Sequence, residues 1–221
     1  MPRKFGGEFR DFVVHGRAAS RACLLASALS VDTGRVDDTR VQLPKFQYHP
    51  DPVASGSVVR SDAACACCGR SRGWSYAGPV YGEEEPDGVI CPWCIADGSA
   101  HARLGVSFVD EAGVGGAGER EPVPDRVVAA VAYRTPGFSA WQQEQWWTHC
   151  GDAAQFLGPA GSAELARHGH EAIAAIRAAT GPVTDEEWLR LLASLSTDRS
   201  PTAYVFRCSR CGALGGYWDC D

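Results

Sequence analysis

Two pairs of cysteines constrain this chain more than any other feature of its sequence. Cys65 and Cys68 form the first C-x2-C pair, Cys91 and Cys94 form the second, and a separation of about twenty residues is typical of a zinc site. Each pair folds into a tight turn, called a knuckle here, that points two thiolates at one ion. The pattern predicts one Zn²⁺ on these four sulfurs; four buried or disulfide-bonded cysteines are the alternative. Cys67 is expected to be a bystander, because a C-x-C pair makes a poorer knuckle.

Composition indicates the cellular compartment of the protein and limits the classes of partner that it can bind. The chain has 221 residues, ten cysteines and a formal net charge of -6. Cysteines in C-x2-C pairs without a credible secretion signal indicate a reducing compartment, so we expect a cytoplasmic protein. No apolar run approaches the roughly 18 residues that a membrane-spanning helix needs. The negative charge disfavours a general nucleic-acid binder, since phosphate affinity requires clustered Lys and Arg.

Changes in composition along the chain predict its organisation. Residues 1–42 are rich in arginine and hold one brief apolar stretch, which indicates a disordered extension or an upstream start, or else a helix that docks on the folded part. A zinc-binding module is predicted at 43–112 and a flexible glycine-rich loop at 113–124. Residues 125–221 are predicted to form a helical region followed by a C-terminal hairpin that carries a C-x2-C knuckle.

The zinc module reads as knuckle, hairpin, knuckle and helix. Trp74–Ala77 and Val80–Tyr81 favour short strands around the turn at Gly78-Pro79, and a helix is predicted over Ile95–Leu104. That order is typical of a treble-clef zinc finger, in which the last two thiolates lie at a helix N-terminus. Asp97 and His101 follow Cys94 on one face of this helix, as partners of the ion or as a surface pair. The predicted fold class is α+β.

Beyond the loop the patterns are mainly helical. A helix is predicted over Asp125–Tyr133 and a second over Ser139–His149, which carries three tryptophans pointing in different directions. Asp152 was a candidate cap for a short helix through Phe156, and the apolar seam of 162–179 predicts a longer one. Thr184 to Glu187 reads as a capping box that opens the last helix.

A second metal site is predicted where the chain ends. Cys208 and Cys211 form a C-x2-C-G knuckle between two strands, which is half of a zinc ribbon and supplies two of the four ligands that a zinc ion needs. Cys150 with His149 is the best source of the other two. Cys150 with Cys220 is an alternative, because adjacent residues rarely both ligate, and a metal-free knuckle is another. A second Zn²⁺ is therefore predicted at this knuckle, with only two of its four ligands fixed by the sequence pattern.

Several sequence blocks resemble a known family. They begin with L-P-K-F-Q-Y-H-P-D-P at residue 43, C-x2-C-G, G-P-V-Y-G-E-E and I-C-P-W-C-I-A-D-G-S-A-H, and continue through R-T-P-G-F-S-A-W-Q-Q-E-Q-W, H-C-G-D and F-L-G-P. Together they are similar to the CbrC family, small bacterial proteins whose name is linked with tolerance to a colicin. The resemblance spans 43–221 and implies no established reaction. This chain has Ala153 and Ala154 where family members often carry another cysteine.

Three functions were weighed. A site of four cysteines has no open position to activate water, so the leading hypothesis is a non-enzymatic zinc-stabilised protein that binds a protein partner, in stress or colicin tolerance as the resemblance implies. The first alternative is a metal-dependent enzyme between the zinc module and the helical region, with candidate groups on His49, Asp51, His101, His149 and Asp152. The second alternative is nucleic-acid binding through arginines near the knuckles, Arg60, Arg70, Arg72, Arg207 and Arg210.

Overall fold

The computed structural model describes residues 42–115 and 122–221, which belong to one compact unit. The extension predicted at 1–42 lies outside the described residues except for its last position, as do residues 116–121 of the predicted glycine-rich loop. The division into a zinc module at 43–112 and a second region at 125–221 stays a prediction. The α+β class is confirmed, since the described part holds six α-helices and seven short strands in three antiparallel sheets.

The elements follow in chain order. The first half contains β1 (Val58–Arg60), β2 (Trp74–Tyr76), α1 (Pro92–Ala96), α2 (Ser99–Leu104), a 3-10 turn (Glu111–Gly113) and α3 (Asp125–Arg134). The second half contains β3 (Thr148–His149), β4 (Asp152–Ala153), β5 (Gln155–Ala160), α4 (Ser162–His168), α5 (His170–Ala179), α6 (Asp185–Ser194), β6 (Thr202–Arg207) and β7 (Leu214–Asp219). The predicted C-terminal hairpin is thus confirmed as β6 and β7.

The largest sheet has the strand order β5-β6-β7, with both pairs antiparallel. Its central strand β6 is buried at every position except Arg207. A cluster of apolar residues from α4, α5 and α6 packs on this sheet, with Leu165, Ile176 and Trp188 among its buried members. Since β6 lies between two partners and under this cluster, it forms the centre of the C-terminal half.

A cluster of aromatic rings fills the core beside the sheet. The rings of Phe138 and Phe156 stack with centroids 3.9 Å apart, and Trp146, Tyr204 and Phe206 surround them. Each such ring buries about 150–250 Å², a large contribution for one side chain. The loop before β3 is therefore held by its aromatic side chains.

The first half has its own apolar cluster, which includes the cysteines of the first predicted zinc site together with Ile95 and Phe108. The backbone of Gly137 crosses close to this cluster: a Cβ at this position would lie 1.9 Å from the carbonyl oxygen of Phe108. Only glycine can make this approach without displacing the backbone. Gly137 thus allows the loop after α3 to run against the first cluster.

The segment that carries three tryptophans is not a helix. The predicted helix at Ser139–His149 is wrong, because the chain there is irregular, with bends at Trp141 and Gln142, and ends in β3. Its backbone hydrogen bonds go to distant groups: the Trp146 amide donates to the Gly113 carbonyl (2.9 Å) and the Gln142 amide to the Asp219 carboxylate (3.2 Å). These tertiary partners replace the local bonds of a helix.

Other predicted elements need correction. Asp152 opens strand β4 and no helix, because the chain there pairs back on β3. The helix predicted at 162–179 divides into α4 and α5 at Gly169, which has φ 92°, and the helix predicted at Ile95–Leu104 divides into α1 and α2 at Gly98, which has φ 80°. Such values interrupt a helix.

The strand partner of β2 was predicted wrongly, whereas the capping box of the last helix was predicted correctly. Strand β2 pairs with β1 and not with Val80–Tyr81, since Tyr81 pairs with Ser107. The capping box at Thr184 is confirmed, with the Glu187 amide donating to the Thr184 hydroxyl (3.3 Å) and the Glu187 carboxylate accepting from the Thr184 amide (2.8 Å). Caps depend on residues close in sequence, whereas strand partners do not.

His49 is a buried hydrogen-bonding residue that links two loops. Its Nδ1 lies 2.7 Å from the Pro136 carbonyl oxygen, its Nε2 lies 2.7 Å from the Ser55 hydroxyl, and its ring packs edge-on against Phe156. Because the Pro136 carbonyl can only accept, Nδ1 carries the proton and Nε2 accepts from Ser55. Burial lowers the pKa of His49 from 6.5 to about 4.

We predict that His49 makes stability depend on acid pH. The folded protein favours the neutral imidazole, so its contribution is fully present above the unfolded pKa of 6.5 and is lost as pH falls through about 4. The full effect is about 3 kcal/mol. Urea unfolding at several pH values should show a shallower loss of stability on acidification for His49→Asn than for the original protein. His170→Asn, at an exposed histidine, is the matched control; equal slopes for all three proteins would contradict the prediction.

Candidate metal centres

The first candidate metal centre is formed by Cys65, Cys68, Cys91 and Cys94, whose sulfurs all lie within 4.8 Å of one another. The separations are 3.9 Å for Cys65 and Cys94, 3.9 Å for Cys68 and Cys91, and 3.6 Å for Cys91 and Cys94. These distances are much longer than the roughly 2.05 Å of a disulfide bond. The structure therefore brings the four predicted ligands together as thiols.

Local folding explains how these sulfurs converge. The first knuckle lies in the connection between β1 and β2, and the second begins at Cys91, directly before α1. The amide of Cys91 donates to the sulfur of Cys65 (3.2 Å), which connects the two knuckles. Burial opposes ionisation of Cys65, but donation from backbone amides lowers its pKa to about 7.

The other sulfurs of this centre resist ionisation without a cation. Burial raises the pKa of Cys91 to about 11, against the effect of the Cys94 amide, and burial also raises the pKa of Cys94. Several neighbouring thiolates in a buried site repel one another, so a metal ion is the natural counter-charge.

The donor set fits a tetrahedral metal ion with sulfur ligands. With Zn–S bonds of about 2.3 Å, tetrahedral geometry places sulfurs about 3.8 Å apart, and the observed separations of 3.6–3.9 Å match this spacing. Four protein sulfurs also complete the coordination. The centre could thus hold one ion with no position left for water.

Three nearby residues lie outside this group. Cys67, the expected bystander, has its sulfur 3.6 Å from the Ser99 hydroxyl. Asp97 accepts from the Ser99 amide (2.8 Å), so its carboxylate caps the start of α2. His101 stacks on Tyr133 with centroids 3.7 Å apart and its Nδ1 lies 3.0 Å from the Val106 carbonyl. The contacts of Asp97 and His101 thus support helix capping and packing in place of partnership with the ion.

The second candidate metal centre is formed by His149, Cys150, Cys208 and Cys211, whose ligand atoms also lie within 4.8 Å of one another. The His149 Nδ1 lies 3.3 Å from the sulfur of Cys150 and 3.3 Å from that of Cys211. Cys220, the alternative ligand, is not in the group; its carbonyl accepts from the Gln142 side chain (3.0 Å). The structure thus favours adjacent His149 and Cys150 as candidate ligands.

A tight turn lets these adjacent residues face one point. Cys150 and Gly151 connect β3 to β4 with φ values of 55° and 67°, and positive φ at both positions is the signature of a type I′ hairpin turn. Cys150 is the one residue other than glycine with positive φ in the described part of the chain. Such a conformation is uncommon for a residue with a Cβ and is often associated with function.

The electrostatics of the second centre differ from one thiol to another. Burial opposes ionisation of Cys208, but the amide of Cys211 and the His149 side chain outweigh it and lower the pKa of Cys208 to about 6. The neighbouring thiol of Cys211 raises the pKa of Cys150 to about 11. A set of three sulfurs and one imidazole nitrogen is also a common structural zinc set.

Asp152 supports the second centre from its side. One carboxylate oxygen accepts from the Tyr48 hydroxyl (2.9 Å), and the other lies 3.5 Å from the Arg210 guanidinium inside the second knuckle. Asp152 thus connects Tyr48 to Arg210 of the second knuckle. Its predicted role as a helix cap did not suggest this interaction.

Trp147 is the residue near this centre that sequence reasoning missed. Its indole stacks on the imidazole of His149 with centroids 5.2 Å apart and an interplanar angle of 11°. A Cβ at Gly215 would lie 2.2 Å from this indole, so the ring rests on bare backbone of β7. A helix prediction concealed this contact, whereas alternation along a strand places Trp147 and His149 on one face.

The groups considered for catalysis do not form a third site. Among the described residues the only sets of three or more metal-capable side chains are the two centres. His49 is fully buried, and Asp51 accepts from the Ala54 amide (3.0 Å) within its own turn. These contacts indicate structural roles.

The arginines near the first centre are engaged by protein groups. Arg60 lies over the ring of Trp74 at 4.0 Å and Arg72 lies over that of Trp93 at 5.0 Å. At the second centre, Arg210 faces Asp152. These contacts give the three arginines partners within the protein.

Among the helices described, none is long and apolar enough to cross a membrane.

Comparisons with known proteins identify the family. A family model described as "Uncharacterised protein family (UPF0167)" matches residues 43–220. A UPF0167 protein of Mycobacterium bovis and one of Mycobacterium tuberculosis are each 42% identical over 186 residues, which covers 82% of this chain and 95% of the relative. A UPF0167 protein of Pseudomonas aeruginosa is 43% identical over 180 residues, which covers 81% and 97%. No solved structure matches the chain.

These findings correct the resemblance stated from the sequence. The assignment to the CbrC family was wrong, because the matching family model and the curated relatives carry the name UPF0167. The link to colicin tolerance rested on that name and is withdrawn with it. The chain belongs to the UPF0167 family.

Proposed function

We propose that this protein is a zinc-stabilised binding protein and not an enzyme. The observation that carries the proposal is the first centre, where four sulfurs lie at the spacing of a tetrahedral zinc ion. A complete set of protein ligands leaves no open position for substrate or water, so the ion stabilises structure. Structural zinc sites in small peptides contribute about 10–16 kcal/mol of folding free energy.

One feature of a treble clef supports that arrangement here, the last two thiolates at a helix start, although the hairpin of this region is formed by β1 and β2 around the first knuckle and not between the two knuckles. The first knuckle precedes the second, and Cys91 and Cys94 lie at the start of α1. The helix itself has only five residues, too few to be stable alone. A metal ion would thus supply the cohesion that these short elements lack.

The second centre supports a further zinc ion on His149, Cys150, Cys208 and Cys211. Its ligands come from two hairpin turns far apart in sequence, so an ion would link β3 and β4 to β6 and β7. Here too the protein supplies four ligands. Neither centre offers the open coordination position that a hydrolytic zinc enzyme needs.

Binding is the activity best supported by these features. The nine cysteines described are all free thiols, which supports a reducing compartment such as the cytoplasm. The net charge of -6 and the engaged arginines favour a protein partner over a nucleic acid.

We predict that the purified protein contains about two equivalents of zinc. Cys94→Ser should lower both the zinc content and the folded fraction, because Cys94 lies in the buried first cluster. Cys211→Ser should lose only one equivalent and retain its fold, since Cys211 is exposed. Elemental analysis with native mass spectrometry gives the metal content, and circular dichroism gives the folded fraction.

Cys67→Ser is the matched control, because this thiol adjoins the first centre without belonging to its group of four. It should keep both equivalents. A zinc-free protein that folds with the same stability would contradict the structural role of the metal.

We also predict a stoichiometric protein partner. The tagged protein, captured from its native host under gentle conditions, should retain one partner that remains with Cys67→Ser and is lost with the unfolded Cys94→Ser variant. Purification of the folded protein without any partner would contradict the binding hypothesis.

A further inference from the structure

The two centres differ in how their ligands are covered. Three of the four sulfurs of the first centre belong to a buried cluster, since Cys65, Cys91 and Cys94 are 2–3% exposed, and Cys68 is half-buried against it. In the second centre Cys150 and Cys211 are exposed, and only Cys208 is buried. Solvent and small chelators can therefore approach the second centre directly but reach the first only when the surrounding core opens.

The parts that carry the second centre are also held together without it. Strands β6 and β7 pair over six residues each, and the knuckle between them closes with its own backbone bonds, from the Cys208 amide to the Ala213 carbonyl (2.8 Å) and from the Gly212 amide to the Cys208 carbonyl (2.9 Å). The turn at Cys150 is likewise closed by the pairing of β3 with β4. An ion could leave this centre with both hairpins intact.

We propose that the second centre is a rapidly exchanging zinc site, whereas the first releases its ion only slowly. This inference rests on the proposed function and adds that one of the two ions can pass to a competing thiol or chelator. In the exchange a donor atom of the acceptor replaces each protein ligand on zinc. Any proton released by an incoming thiol passes to the departing thiolate, and neither zinc nor sulfur changes oxidation state. Cys150 and Cys211 are the ligands that an acceptor meets first.

Trp147 is a positioning residue for this exchange. Its indole packs on the backbone of Gly215 and stacks on the imidazole of His149, which restricts the plane of the ring that offers Nδ1 to the ion. The same indole lines a groove of about 660 Å³ beside β7, together with Gln142, Gln143 and Gln145. Release of the ion frees His149 and so changes the surroundings of the indole.

The test measures how fast each zinc ion leaves the folded protein. The zinc-loaded protein is mixed with an excess of a pyridylazo-resorcinol indicator, and the absorbance of the zinc complex is followed. One equivalent should leave about a hundredfold faster than the other, because the slow ion requires opening of the core. Cys211→Ser should lack the fast phase, and Cys67→Ser should show both phases unchanged.

Two outcomes would overturn the inference and separate it from the proposed function. If two equivalents leave at one rate, or if the fast phase persists in Cys211→Ser, the second centre is not the exchangeable one although the protein still binds zinc. A folded protein that binds no zinc would overturn the proposed function as well.

Trp147 is tested by Trp147→Ala and the conservative Trp147→Phe. The alanine variant should bind its fast ion about tenfold more weakly, as loss of a supporting contact around a metal ligand usually does, and the phenylalanine variant should recover most of the affinity. The slow phase should be the same in all three proteins, which distinguishes positioning from general destabilisation. If Trp147→Ala and the original protein bind the fast-leaving zinc ion with equal affinity, Trp147 has no such role.

Discussion

The close approach of four cysteine sulfurs, which a bound cation would stabilise as thiolates, is the interaction on which we propose that the first half of this structure depends. The four sulfurs of the first centre lie within 4.8 Å of one another, and burial raises the pKa of Cys91 and Cys94. Around them are a two-stranded hairpin and a five-residue helix, which isolated chains do not maintain in water. The ion proposed at this centre lets a segment with so little regular structure hold one conformation.

The second half depends on a different source of stability. A three-stranded sheet packs against three helices on an apolar cluster, and aromatic rings around Phe138 fill the space beside it. That core is large enough to fold by burial of apolar surface. The second centre lies at the ends of hairpins that this core already positions, which is why its ion can be exchangeable. The two centres thus have similar ligands and different dependence on metal.

Sequence patterns predicted the features that depend on nearby residues. The knuckles, the capping box at Thr184 and the C-terminal hairpin are each specified within a few positions. Partnership across the chain was harder to predict. Trp146 and Trp147 face distant partners, Gly113 and Gly215 among them, and these contacts overrode the helical pattern of their segment. The ligand pair His149 and Cys150 was the best candidate from the sequence, and the structure brings both residues to the second centre. The sequence did not predict how neighbours could converge, because this depends on the positive φ of Cys150, and a pattern of residue types does not specify the backbone angle of a single residue.

Anomalous diffraction at the zinc absorption edge, from crystals of the full chain, tests the central claim most directly. We expect two peaks, one equidistant from the sulfurs of Cys65, Cys68, Cys91 and Cys94 and one among His149, Cys150, Cys208 and Cys211, with Zn–S distances of about 2.3 Å. A first centre without a zinc peak, or with its cysteines joined in disulfides, would contradict the account.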